Sequence, residues 1–216
     1  ISGPELEALR SVALADGQSQ RIYQHRYGVN VAVRDSSGAI WFTQSAHNPP
    51  EEGEARMWAA IDRPLEEGAL LRLAVDAADI VAPQPETVVD GLRFANGLAI
   101  DEDAGALYLA ESSALQVTRY DVDVADGSVT NPRVVIDGVL PDNLETDADG
   151  RLYVGAPLPN TLLVHDPATG ETRSLLPPPT PERQELQAEW RRRLDAGEPL
   201  MELVTPQAWA PLPGFV

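Results

Sequence analysis

The chain has 216 residues, 43% of them hydrophobic, with Asp and Glu outnumbering Lys and Arg 34 to 16 for a net charge of −18. That length supports a sizeable buried core, while the negative charge repels a phosphate backbone or an anionic lipid surface and so excludes nucleic acid as a partner. The absence of cysteine excludes disulfides, thiolate catalysis and Cys-based zinc sites, and no uncharged apolar stretch approaches the ~20 residues of a bilayer span.

The 19 Pro and 16 Gly are scattered between short apolar runs, the usage expected of a protein made of many strands. At the start, Ser11–Gly17 and Gln20–Arg26 read as the outer strands of a β-unit whose beginning is not in the chain. Without a bilayer span the sequence reads as soluble, with the cytoplasm slightly favoured, and its opening on Ile1 with no basic and apolar leader reads as either a removed segment or a fragment of a longer sequence.

A repeat follows. Asp35-Ser-Ser-Gly38-Ala-Ile-Trp41-Phe42, Asp103-Ala-Gly105-Ala-Leu-Tyr108-Leu109 and Asp147-Ala-Asp-Gly150-Arg-Leu-Tyr153-Val154 align as strand, Asp/Gly turn and aromatic strand. Gly accepts the positive φ of a tight turn and Asp bonds its own backbone, so each is a hairpin. Third strands follow at Leu70–Leu73, Val117–Asp121 and Leu162–Asp166, and fourth apolar stretches such as Arg133–Ile136. Four strands per unit describe a propeller blade. Tyr108 and Tyr153 lie 45 residues apart, inside the ~40–50 residue period of blades. Trp41 and Tyr108 lie 67 apart, and the excess falls in the charged, proline-rich segment His47–Glu67, which reads as a mobile surface insertion. The fold class is therefore all-β, a β-propeller with three to four blades in this chain.

The C-terminal part departs from the repeat. After the proline-rich break Leu175–Thr180, the sequence Thr180-Pro181-Glu182 starts a helix running to about Ala196, with Leu186, Trp190 and Leu194 on one stripe and Arg191, Arg192 and Arg193 on a solvated face. Residues 1–179 form the propeller part and 180–216 one C-terminal helix and an irregular tail.

Each unit's first strand opens on a short polar residue: Asn30, Asn96 and the pair Asp142-Asn143. Counted back from the aromatic of the second strand they are equivalent, 11 residues before Trp41, 12 before Tyr108 and 11 before Tyr153. Any one of them is an ordinary capping residue at a strand start, and Asn96-Gly97 is also a turn dipeptide. Three in register at the channel end of the first strand direct oxygens to one axis, and converging amide and carboxylate oxygens suit Ca²⁺.

Phe94-Ala-Asn-Gly-Leu-Ala-Ile100 with Leu107–Ser112, and Leu140-Pro-Asp-Asn-Leu144 with Asp149–Gly155, resemble the gluconolactonase, paraoxonase and strictosidine-synthase-like superfamily. The resemblance runs from about Gly28 to Asp166 and implies a six-bladed parent propeller with an axial Ca²⁺ or similar divalent metal, acting on small lactones or esters. It also implies that Asn30, Asn96 and Asp142 are metal ligands, with Asn143 a further ligand in the paraoxonase-like branch, and that Asp142 serves as base or nucleophile. The family's first-blade glutamate ligand has no counterpart here, and Gln44 stands where an Asp is common. The expectation is a calcium-dependent hydrolase of lactones or esters. Two alternatives stand beside it: a propeller that binds a ligand or partner around a structural calcium ion, and a strictosidine-synthase-like condensing enzyme. Unclosed sheet edges predict self-association and little activity in this stretch alone. His25, His47 and His165 have no spacing that makes a zinc site; His165 reads as a surface or packing residue of an outer strand, and His47 as the histidine able to reach a ligand in the channel.

Overall fold

The structure, a computed structural model, describes residues 8–74, 84–176 and 178–204. It is all-β in its main body, with three four-stranded antiparallel meanders following one another along the chain. Blade 1 comprises β3 (Val29–Arg34), β4 (Ile40–Gln44), β5 (Gly68–Leu73) and β6 (Glu86–Leu92). Blade 2 comprises β7 (Ala95–Asp101), β8 (Ala106–Glu111), β9 (Gln116–Asp123) and β10 (Ser128–Asp137), and blade 3 comprises β11 (Leu144–Thr146), β12 (Leu152–Ala156), β13 (Thr161–Asp166) and β14 (Glu171–Ser174). A two-stranded sheet, β1 (Ala8–Val12) with β2 (Ser19–Gln24), precedes them. The repeated unit read from the sequence is thus the blade, and the third and fourth strands fall where the apolar stretches placed them.

The hairpins explain themselves chemically. In blade 1 the Asp35 carboxylate accepts the Ala39 N–H (3.0 Å) and the Trp41 indole N–H (2.7 Å), so the acid that opens the turn also anchors the aromatic of the next strand. Blade 3 repeats the device, with Asp147 accepting from the Arg151 N–H (3.0 Å) and the Tyr153 hydroxyl (2.9 Å). Burial alone would raise the Asp35 carboxyl, but Ser37, Trp41, Ala39 and the Arg72 charge outweigh it and hold the group below its usual range. Blade 2 differs from the alignment that paired Asp103 with these two. There Gly105 donates to the Glu102 carbonyl (3.2 Å), and the carboxylate bonding the turn is Asp101, which accepts the Ala104 N–H (3.0 Å). The hairpin is one residue longer, and Asp103 sits exposed at its tip.

The cores lie between successive sheets. Trp41 and Leu70 of blade 1 meet Leu98, Leu107 and Tyr120 of blade 2, and Tyr108 and Val117 of blade 2 meet Leu144, Leu152 and Val154 of blade 3. Leu9 of β1 packs on Phe42 and Leu71. Face-to-face stacking of twisted sheets about one axis buries each face without a large single core.

Among the described residues two α-helices lie outside the blades, where the sequence reading expected one. α2 (Pro181–Ala196) begins with the Thr180 hydroxyl accepting from the Arg183 N–H (3.4 Å) and ends at Gly197, whose left-handed backbone (φ 67°) returns its N–H to the Arg193 and Leu194 carbonyls. Its stripe Leu186, Trp190 and Leu194 packs with Leu115, Leu140, Leu158 and Leu200. The arginines expected on a solvated face carry ion pairs there: Arg191 with Asp137, Arg192 with Glu189 and Glu198, and Arg193, the least exposed, with Glu189 and Glu202. The unanticipated helix is α1 (Gly53–Asp62), inside the segment expected to be a free insertion. Its Met57, Ala60 and Ile61 pack on Ala46 and Phe94. Of the tail Pro199–Val216, Met201–Leu203 forms a 3-10 turn and residues 205–216 lie outside the described residues. No helix among the described residues is long and apolar enough to cross a membrane.

Candidate metal and ligand site

Asn30 from β3, Asn96 from β7 and Asp142 from the segment leading into β11 line one cavity of about 330 Å³. Their backbones are tied across blades. Gly97 donates its N–H to the Asp142 carbonyl (3.0 Å), while Asp142 donates to the Gly155 carbonyl (2.8 Å), so both main-chain groups of Asp142 are used and its side chain is left to the cavity. Asn96-Gly97 is therefore not a turn. Its glycine is needed because β7 runs against the start of β11: an added Cβ would collide with the Asp142 carbonyl and lie 2.7 Å from the Leu144 nitrogen.

A second layer repeats from blade to blade. The Asn30 amide NH₂ donates to Ser45 Oγ (3.0 Å), and the Ser45 hydroxyl donates to the Ala95 carbonyl (2.7 Å). One blade on, the Asn96 amide NH₂ donates to Ser112 Oγ (3.0 Å), and Ser112 donates to the Pro141 carbonyl (2.7 Å). A serine hydroxyl has one proton. With that proton committed to a carbonyl, each serine can only accept from its asparagine, which fixes the amide with NH₂ toward the serine and its oxygen on the other side. The consequence is visible at Asn96, whose Oδ1 is buried with no hydrogen-bond partner. Such an atom costs free energy unless something positive meets it. In blade 3 the equivalent of Ser45 and Ser112 is Pro157, and the axial residue is the carboxylate Asp142 rather than an amide.

Burial raises the Asp142 carboxyl above its ordinary value, and a hydrogen bond from the Asn96 side chain opposes that only in part. Two amide oxygens and one carboxylate form a hard, all-oxygen donor set, and the unpartnered Asn96 Oδ1 fits a cation of the calcium type. Among the described residues there is no cluster of three or more His, Asp or Glu side chains able to hold a metal. Asn143 is exposed, and the cavity lining does not include it; its carbonyl accepts the Gly155 N–H (3.0 Å).

The histidines stand elsewhere. His47, expected at the channel, is exposed, stacks on Tyr27 at 4.6 Å between ring centroids, and borders a different cleft with Glu66, Glu67 and Asp90. His25 bonds Gln44 (2.9 Å), and His165 bonds Thr172 (2.9 Å); burial lowers the pKa of both rings. Gln44 also donates to the Glu67 carbonyl (2.8 Å), which turns it from the axis.

Sequence reasoning missed Ser45, Ser112 and Ser113, and the wall of the cavity supplied by α1, α2 and the C-terminal turn. A signal for two of the serines was present: each stands four residues after the aromatic of its second strand, Ser45 after Trp41 and Ser112 after Tyr108. Phe94, at the cavity edge, holds a left-handed backbone (φ 58°), a strained conformation for a bulky residue.

Residues 9–183 match the family described as the SMP-30/Gluconolactonase/LRE-like region. The chain is 28% identical over 107 residues to a putative sugar lactone lactonase of Bacillus subtilis, covering 46% of this chain and 34% of that protein. It is 32% identical over 104 residues to regucalcin of Danio rerio, covering 45% of this chain and 35% of that protein. The matches thus span about a third of the length of these curated relatives. A solved gluconolactonase from Xanthomonas campestris superposes with a TM-score of 0.59 at 22% identity, over 82% of this chain and 57% of that one. At that identity the likeness establishes the propeller fold.

Proposed function

The chain belongs to the SMP-30/gluconolactonase/LRE-like family, and from that premise we propose that its axial cavity is the metal-binding, substrate-facing part of a lactone or ester hydrolase. The observation that carries this reading is the convergence of Asn30, Asn96 and Asp142 on one cavity, with the Asn96 oxygen buried and unpartnered. These three residues would hold a divalent cation, for which Ca²⁺ is the natural choice because all the donors are oxygens. When bound, the ion supplies Lewis acidity toward a carbonyl oxygen. The protein's own residues do the rest. Ser45 and Ser112 orient the two amides. Asp142, the one carboxylate lining the cavity among the described residues, is the group placed to accept a proton from an attacking water.

Calorimetric calcium titration of the chain and of Asn30→Ala, Asn96→Ala and Asp142→Ala tests the site. Each variant is expected to bind more weakly, Asp142→Ala most of all because it removes the only charge. Three variants with unchanged affinity would sink the axial site, and a calcium-binding protein that never turns over a γ-lactone or phenyl acetate would sink the hydrolase. In that event the ion acts as a structural lock, a second reading supported by the Gly97 to Asp142 bond between blades.

A further inference from the structure

The floor and the wall of the cavity differ in chemistry. Beyond the axial oxygens the wall is Met57, Trp58 and Ile61 of α1, Trp190 of α2, and Met201 and Val204 of the C-terminal turn. Around the same cavity two further buried polar atoms have no partner among the described residues: Trp190 Nε1 of that wall and Ser113 Oγ beside it, in residues each 1% exposed that both line the cavity. An indole N–H donates once and accepts nothing, and a hydroxyl donates once. The wall therefore offers two isolated donors set in an apolar surface.

A polyhydroxylated ring buried there would lose the water around several hydroxyls and recover few of those bonds, each unmatched group weakening binding by roughly tenfold. An alkyl or aryl body gains from the same surface, because affinity rises with the apolar area removed from water. We propose that this cavity takes a lactone or ester with an apolar body in preference to a sugar lactone, its ring oxygens facing the floor and the donors Ser113 Oγ–H and Trp190 Nε1–H. This rests on the reading of the cavity as a lactone site.

The test uses lactams, ring isosteres that resist hydrolysis, titrated calorimetrically into the calcium-supplemented chain. A six-membered lactam bearing a pentyl chain is expected to bind at least about tenfold tighter than a polyhydroxylated gluconolactam. Trp58→Ala, a substitution at a partly exposed wall position, should cut pentyl-lactam affinity roughly tenfold with the melting temperature retained. Gluconolactam binding as tightly as the pentyl lactam, or neither lactam binding, overturns the inference. A pentyl-lactam preference without turnover of the corresponding lactone upholds the ligand class and overturns the hydrolytic reading instead. Turnover of lactones with no preference for the apolar body upholds hydrolysis and overturns the class.

Discussion

The floor of the cavity is built by hydrogen bonds that pass from one blade to the next, whereas its roof is built by apolar packing of two helices and a turn. On the floor, each asparagine is oriented by a serine whose hydroxyl reaches the neighbouring blade, and Gly97 holds the Asp142 carbonyl. On the roof, Trp190, Ile61, Leu194 and Leu200 share one apolar cluster. Polar ties lie at its margin: the Asp62 carboxylate accepts the Met201 N–H (2.8 Å), Glu67 pairs with Arg56, and Arg191 of α2 pairs with Asp137 of blade 2. Directional bonds fix positions to fractions of an ångström and suit ion ligands, while packing tolerates adjustment and suits a wall that adapts to a ligand's body.

That contrast is open to experiment. Trp190→Ala removes the largest buried side chain of the roof and is expected to cost about 3–5 kcal/mol. Hydrogen exchange should place the loss in α2 and the C-terminal turn while calcium binding persists; collapse of calcium affinity would show that floor and roof are one unit. Gly97→Ala should cost about 1–3 kcal/mol through overpacking between β7 and β11, read as a lower urea midpoint, and here calcium affinity should fall with stability. Ser112→Ala leaves the Asn96 amide NH₂ and the Pro141 carbonyl without their partner, a loss of about 1–3 kcal/mol. Its sharper signature is weaker calcium binding from a residue that is not itself a ligand, with Ser112→Thr as the rescue.

The smallest effect concerns pH. Burial alone would raise the Glu67 carboxyl, but hydrogen bonds from Arg56 and the His47 N–H outweigh it and hold the group below its ordinary value. Its contribution to stability is then complete above the ordinary glutamate value, about 4.3, and is lost as pH falls through the folded value. Since Arg56 lies on α1, amide exchange in α1 should rise on acidification before it rises in β7 or β8. Simultaneous opening would mean that the roof is not the weaker region.

The same division governs what the sequence made legible. The blades could be read because Asp35–Trp41 and Asp147–Tyr153 repeat a local rule, an acid bonding its own turn and the next aromatic, and local rules survive in one dimension. Helix α2 announced itself through Thr180-Pro181-Glu182. α1 did not, although Met57, Ala60 and Ile61 stand at helical spacing, because Pro49-Pro50-Glu51-Glu52-Gly53 dominates the reading of that segment. Ser45 and Ser112 stand at equal spacing after their aromatics, but their role depends on carbonyls 50 and 29 residues further along the chain, which no local pattern reveals. The axial trio was found by register, but which way each amide turns is decided by those serines.

The serine bridges also bear on assembly. Because Ser45 and Ser112 join Asn30 and Asn96 to the main chain of the following blade, the ion capture proposed above would be coupled to the docking of one blade on the next. Thermodynamic reciprocity then requires that whatever strengthens one strengthens the other by the same factor. Calcium should promote ring closure, and a neighbouring blade, whether from the same polypeptide or added in trans, should raise the affinity for calcium.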